Sequence, residues 1–229
     1  MEAPEDKNAF DLEAALKPPL PARLPKIVQV DRLVNRPIAA LIVRAAIRLN
    51  LRPNHLTVAA FALSLAGAAA FLGGTHRSFI AAGLLIYAGT LFDGADGMLA
   101  RSRDMCTRFG AYLDLYLDRI TDFFVLGAMV TGYYIQSGRL GFYFLSLFGL
   151  AAYMLQMVLY YLEREYKKVQ TGSGASGDFR GLVYLGVFGF AVANRLDIVI
   201  VILLCVPALN IPYRFVRYWL VGRPAEPPR

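Results

Sequence analysis

Residues Leu91 to Asp122 read LFDGADGMLARSRDMCTRFGAYLDLYLDRITD, and the fold turns on how that stretch is accommodated. It sets acidic side chains among segments apolar enough to span a lipid bilayer. Asp93 and Asp96 are three residues apart, and Asp114, Asp118 and Asp122 step by four, so on two helices each set lines one face. An aspartate at the bilayer midplane costs about 2.5–3.5 kcal/mol on insertion scales, so four uncompensated ones would cost roughly 10 kcal/mol. A partner must offset that cost.

The nearby cations are few: Arg101, Arg103 and Arg108 between the two segments, and Arg119 inside the second, one position off the aspartate face. Carboxylates converging in a poorly hydrated cleft suit hard divalent cations, Mg²⁺ above all, with water or substrate oxygens completing the shell. Two ions about 3.5–4 Å apart would share bridging carboxylates and clamp a phosphoryl group between them. Gly94, Gly97 and Ala100 leave the first helix almost bare beside its aspartates, and Gly110 does the same opposite, which makes room for a substrate against backbone.

The spacing Asp93-x-x-Asp96-Gly97-x-x-Ala100-Arg101, then eight residues, then Gly110-x-x-x-Asp114-x-x-x-Asp118, resembles the signature of the CDP-alcohol phosphotransferase family with every position filled. The competing reading makes the two Asp-Gly pairs turn dipeptides and Asp114 and Asp118 an exposed helix face. Eight fixed residue types at fixed spacing weigh against it.

The composition agrees with a membrane protein. With 229 residues of which 57% are hydrophobic, the chain is anomalous for a soluble domain and ordinary for an all-α integral membrane protein. The opening MEAPEDKNAF carries acids and no apolar core, so neither a secretory signal nor a transit sequence is expected there. Cys106 and Cys205 form no CxxC and read as free thiols, and His55 and His76 lie near opposite faces, against a zinc centre. The net charge of +7 is assigned to lipid topology and not to nucleic acid.

Taken in order, residues 1–27 form a polar, proline-rich tail with one short helix around Phe10 to Leu16. Residues 28–50 alternate Arg32, Arg36, Arg44 and Arg48 with an apolar stripe of Leu33, Ile38, Leu41 and Ala45, which predicts an interfacial amphipathic helix. A transmembrane domain over 51–220 holds six transmembrane helices, and 221–229 are a C-terminal tail. The spans are expected at about Asn54–Gly73, Phe79–Ala100, Phe109–Ile135, Leu140–Leu162, Gly181–Asn194 and Ile198–Arg214. Ala62, Ala66 and Ala70 give the first a small-residue packing face. A Gly- and Ser-rich loop, QTGSGASGDFR, precedes the fifth.

Counting cations sets the orientation. Arg77, Arg139 and Arg195 fall on one side and Arg119 inside a span, while the rest of the 24 Lys and Arg fall on the side of the N-terminus. The positive-inside rule then places both termini and the aspartates at the cytoplasmic face of the cell's inner membrane.

The resemblance implies an enzyme that displaces CMP from a CDP-linked alcohol by the hydroxyl of a second alcohol, giving a phosphodiester. It implies metal ligation by Asp93, Asp96, Asp114 and Asp118, the first and third touching both ions, with Asp118 also the general base. Gly97, Ala100, Arg101, Thr107 and Gly110 would surround the cytidine and its phosphates, Arg101 offering its fork to phosphate oxygens. Pro53-Asn54-His-Leu-Thr57 is similar to a family element that approaches the same group, which adds Asn54 and Thr57.

Two Mg²⁺ ions are implied, with Mn²⁺ an alternative, together with a homodimer. The segments DRLVNRPIA and PNHLT look most like the inositol-phosphate branch. CDP-diacylglycerol is then the expected donor, and inositol phosphate or glycerol phosphate the acceptor. Lys167, Lys168, Arg180, Arg214 and Arg217 are candidate acceptor contacts, Arg180 and Arg217 foremost, although for any single one of them an ordinary membrane anchor is the commoner role. Asp122 lies outside the pattern and is read as structural. Arg119 is either a buried ion pair or a contact to an anionic acceptor.

Three alternatives stand beside this reading. One keeps the chemistry with a soluble donor such as CDP-inositol. Another makes the aspartates the ion path of a cation transporter. The third is a non-catalytic scaffold, which retention of all four aspartates disfavours.

Overall fold

A computed structural model of the chain describes the backbone of residues 26–171 and 180–221, and most side chains over 34–160 and 183–216. The expected tail helix, the Gly- and Ser-rich loop over 172–179 and the C-terminal tail lie outside the described residues, as do the side chains of Lys167, Lys168, Arg180, Arg214 and Arg217. The described residues are helical throughout: α1 (Lys26–Arg48), α2 (Pro53–Phe71), α3 (His76–Ser102), α4 (Arg108–Ser137), α5 (Leu140–Thr171), α6 (Arg180–Val192) and α7 (Leu196–Val221).

Four of these, α2, α3, α5 over Leu140–Tyr160 and α7 over Leu196–Tyr213, are long and apolar enough to cross a bilayer, the pattern of a multi-pass membrane protein. α4 is 30 residues long but carries its charges in its first half, and α6 has 13 residues, apolar over Val183–Val192. The apolar part of α5 ends at Tyr160, close to the expected end of the span at Leu162. The helix itself continues through the Glu-Arg-Glu-Tyr-Lys-Lys run to Thr171, a segment rich in the good helix formers Glu, Arg, Lys and Gln.

Local sequence sets the helix ends. Pro53 occupies the first turn of α2, where its missing N–H costs nothing, and the Arg52 N–H donates to His55 Nδ1 at 3.2 Å. Thr75 caps α3, its Oγ1 accepting from Ser78 N at 3.2 Å while Ser78 Oγ accepts from Thr75 N at 3.1 Å. Thr107 caps α4, its Oγ1 accepting from Gly110 N at 2.9 Å. Between α3 and α4, Asp104 adopts φ 51°, a left-handed conformation that Asp tolerates, so the chain reverses within a few residues.

α2 is the hub. It joins α3 to α4, packing extensively on the first and also on the second, whereas the α3 and α4 backbones approach each other little among the described residues, so a cleft stays open between them. Glycines permit the close approach. A Cβ at Gly89 of α3 would meet Ala60 O of α2 at 2.9 Å, and one at Gly67 of α2 would meet Ala82 O of α3 at 3.0 Å.

The packing face of α2 is therefore Ala60, Ser64, Gly67, Ala68 and Phe71, and not Ala62, Ala66 and Ala70, of which the first two are exposed and the third only partly covered. In a helix built almost wholly of small and apolar residues, lipid-facing and protein-facing positions have the same composition, so the alanine spacing alone could not choose between faces.

Two apolar clusters hold the bundle. One gathers Phe71, Phe79, Ile86, Val125, Met129, Val187, Leu196 and Ile200 from α2, α3, α4, α6 and α7. The other packs Ala39, Ala40, Val43 and Ala46 of α1 on Leu56 of α2 and on Ala95, Met98 and Leu99 of α3. Tyr87 OH of α3 also donates to Asn35 Oδ1 of α1 at 2.8 Å. α1 thus buries a face that its sequence did not single out, and its expected stripe at Ile38, Leu41 and Ala45 stays exposed. Because Ala95, Met98 and Leu99 alternate with Asp93 and Asp96, the grip of α1 fixes the rotation of the acidic end of α3.

Candidate functional site

The α3–α4 reversal places the C-terminal part of α3 beside the N-terminal part of α4. By helical rise, Asp93 and Asp118 each lie about 15 Å from the turn, at matching depth. One carboxylate oxygen from each of Asp93, Asp114 and Asp118 lies within 4.8 Å of the others, all three residues being half-buried. The set is all oxygen, acidic and open on one side, since a Cβ at Gly94 would meet nothing within 4 Å. These donors fit a hard divalent cation.

Asp96, 6% exposed, belongs to the same helix but is committed differently. Its Oδ2 accepts from Thr57 Oγ1 of α2, a contact buried between the helices. Thr57 Oγ1 also lies 3.3 Å from Pro53 O, and a hydroxyl has one proton, so that proton serves the carboxylate. Thr57, 6% exposed, is thus engaged with Asp96.

Thr57→Val removes this donor and leaves a buried carboxylate oxygen short of a partner, which costs about 1–3 kcal/mol. Thermal unfolding of the detergent-solubilised variant is expected several degrees lower, at about 2–4 °C per kcal/mol for a chain of this size.

The other expected nucleotide contacts form two groups. A Cβ at Gly110 would lie 3.0 Å from Thr107 Oγ1 and 3.3 Å from Asn54 Oδ1, so Asn54, Thr107 and Gly110 share one corner at the start of α2 and α4. Thr107 spends its hydroxyl oxygen on the α4 cap. On α3 the Arg101 guanidinium folds back over Gly97, its Nη1 3.1 Å from where a Cβ would stand, and Ala100 sits half-buried in the last turn. No side-chain position is described for Arg180 or Arg217.

Behind the carboxylates a recess is lined by Asp93 and Asp118 together with the hydroxyl-bearing Thr57, Ser64, Thr90, Thr121 and Tyr184. Asp122, 1% exposed, lies one turn deeper than Asp118. Its Oδ1 accepts from Tyr184 OH at 2.6 Å and its Oδ2 lies 3.0 Å from Arg119 Nη1. Arg119 Nη2 stands 3.8 Å from Asp118 Oδ2. The guanidinium therefore forms a carboxylate ion pair, one of the two roles expected for Arg119. Tyr184 was not visible from sequence, because its partner is 62 positions away and nothing in the apolar run of α6 marks it.

Known proteins resemble the chain at both levels. The bifunctional IPC transferase and DIPP synthase of Archaeoglobus fulgidus is 31% identical over 156 residues, covering 68% of this chain and 29% of that protein. The archaetidylinositol phosphate synthase of Pyrococcus horikoshii is 29% identical over 108 residues, 47% of this chain and 52% of that protein. The chain thus spans about half or less of the length of these curated relatives.

The phosphatidylinositol phosphate synthase of Mycobacterium tuberculosis has the same fold. Its crystal structure with CDP-DAG bound matches at a TM-score of 0.58 and 23% identity, over 82% of this chain and 98% of that one. Its complex with manganese and citrate matches at 0.59 and 24%, over 83% and 95%. The family pattern described as CDP-alcohol phosphatidyltransferase covers residues 50–221, which includes every motif aspartate. The chain belongs to the CDP-alcohol phosphatidyltransferase family.

Proposed function

We propose that the chain is a metal-dependent CDP-alcohol phosphotransferase that moves the phosphatidyl group of CDP-diacylglycerol onto the hydroxyl of a small polar alcohol, inositol phosphate first, and releases CMP. The observation that carries this reading is the meeting of Asp93, Asp114 and Asp118 from two helices within 4.8 Å, inside a complete family motif. The names of the relatives, inositol phosphate lipid synthases among them, support the acceptor class.

In this reading Asp93, Asp96, Asp114 and Asp118 hold two divalent ions, Mg²⁺ or Mn²⁺. When bound, the ions would neutralise charge on the pyrophosphate and on the departing CMP. The remaining work falls to the chain. The open backbone at Gly94 and the cleft between α3 and α4 admit the pyrophosphate, Arg101 reaches its oxygens from above Gly97, and Asn54, Thr107 and Gly110 border the nucleotide. Asp118 takes the hydroxyl proton of the acceptor as its oxygen attacks phosphorus, and the cleft walls hold that oxygen in line. Arg180 and Arg217 are the proposed contacts to the acceptor phosphate.

The same reading completes six spans with α4 and α6, lays α1 along the interface with Ile38 and Leu41 toward lipid, and keeps 1–27 and 221–229 as tails around a 51–220 domain. Both termini and the site face the cytoplasm, and two copies form a homodimer. A hydrophobic helix that carries intramembrane charge is tolerated when that charge faces the bundle interior, as Asp118 in the recess and the buried Asp122 do.

Purified protein in lipid nanodiscs, given CDP-diacylglycerol and Mg²⁺, is expected to release CMP with inositol phosphate at least about tenfold faster than with glycerol phosphate, serine or inositol, a preference worth about 1.4 kcal/mol in the transition state. Release only from CDP-inositol would move the donor assignment. No Mg²⁺-dependent release with any donor and acceptor contradicts the proposal.

A further inference from the structure

The buried group below Asp118 has a job that the transfer chemistry does not assign. We infer that Asp122, anchored by Tyr184, is a positioning residue that fixes Arg119 and through it orients Asp118. The inference rests on the proposed role of Asp118 as a metal-binding base.

The geometry forms a directed chain across two helices. Tyr184 OH on α6 donates to one oxygen of Asp122 at 2.6 Å, the other oxygen lies 3.0 Å from Arg119 Nη1, and Arg119 Nη2 lies 3.8 Å from Asp118 Oδ2. Asp122 is 1% exposed and Tyr184 4%, so both ends of the anchor are packed in place, whereas the Arg119 side chain is 28% exposed and needs an anchor.

A guanidinium on a long, flexible stem beside three clustered carboxylates would otherwise swing onto them and compete with a cation for their oxygens. Asp122 opposes this by holding the near side of the fork in a buried ion pair. The far side then stands 3.8 Å from Asp118 Oδ2, near enough to orient that carboxylate by its charge and beyond the distance of a direct hydrogen bond. Sequence spacing makes this possible: Asp118 and Asp122 share a helix face one turn apart, and Arg119 sits beside it within reach of both.

A substrate contact is the competing role for Arg119, and the two roles separate in measurement. The full-length chain in nanodiscs is prepared as wild type, Tyr184→Phe, Asp122→Asn and the double variant. Mn²⁺ affinity is read from the free-ion signal in electron paramagnetic resonance, and kcat and KM are read from CMP release.

Positioning predicts that Asp122→Asn weakens Mn²⁺ binding and lowers kcat about tenfold, with Tyr184→Phe moving both the same way by about threefold, as partners that orient metal ligands do. The double variant should match Asp122→Asn alone within about twofold, because Tyr184 acts only through Asp122. KM for donor and acceptor should stay near wild type.

Mn²⁺ affinity unchanged in Tyr184→Phe and Asp122→Asn overturns the inference, as does a multiplicative double variant. A raised acceptor KM with kcat retained assigns Arg119 to the substrate instead and also overturns it. Should Asp122→Asn fail to fold, Tyr184→Phe decides by the same two readouts. Wild type that binds Mn²⁺ but releases no CMP removes the functional reading, while the Mn²⁺ arm still decides the positioning.

Discussion

Asp93→Asn is expected to reduce Mg²⁺-dependent CMP release by at least about a thousandfold with the fold intact, because several kcal/mol of transition-state stabilisation pass through the metal site and each 1.4 kcal/mol is tenfold. Asp93 belongs to the three-carboxylate group and lines the recess from α3, whereas Asp96 accepts from Thr57 of α2. Asn keeps the volume and one oxygen while halving the ligand's usefulness to a bridging ion. Asp114→Asn should behave alike from the α4 side. Asp96→Asn is expected to differ, since it also disturbs the contact to Thr57 that ties α3 to α2, and unfolding temperature should fall along with activity. CMP release and thermal unfolding on the same preparations separate the two classes. A cation transporter would instead show loss of metal flux with no nucleotide requirement.

Gly132→Val carries the largest expected effect on stability. A Cβ at this position of α4 would overlap the Phe71 carbonyl oxygen of α2 and stand 3.3 Å from Phe79 Cε1. The overlapped atom is backbone at a helix end, so no rotamer change relieves it, and α4 must back away from the cluster of Phe71, Phe79 and Met129. Overpacking of this kind costs about 3 kcal/mol or more, the upper end of its usual range. That corresponds to a fall of about 6–12 °C in unfolding temperature for a chain of this size. Gly127→Ala on the same helix is the control, because its Cβ would meet nothing closer than 3.9 Å, and it should shift unfolding by no more than about 2 °C.

The aspartates were legible because spacing and chemistry agree: an acid in an apolar span is costly, so its presence already demands a partner. Helix existence was legible for the same reason that spans are, from length and hydropathy, and the caps at Thr75 and Thr107 mark ends that the sequence places within a few residues. What stayed hidden is non-local or lacks contrast. Thr57 reads as a nucleotide contact in its motif, and only the α2–α3 packing reveals that its hydroxyl serves Asp96. Tyr184 has no local signal at all. The inner face of α1 and the packing face of α2 could not be separated from their lipid faces, since Ala and Val suit both. Arg119, a lone cation among carboxylates, fits an ion pair and a substrate contact equally in sequence, and the structure adds its ion pair with Asp122.

The central claim is that carboxylates of α3 and α4 gather around shared divalent ions, and the number and coupling of bound Mn²⁺ test it most directly. Electron paramagnetic resonance of the full-length chain in nanodiscs is predicted to show two Mn²⁺ per chain with mutual spin coupling, at the separation of about 3.5–4 Å typical of paired sites. Asp93→Asn and Asp114→Asn should each abolish the coupled signal. Absence of bound Mn²⁺, or a single ion indifferent to Asp114→Asn, would contradict the account.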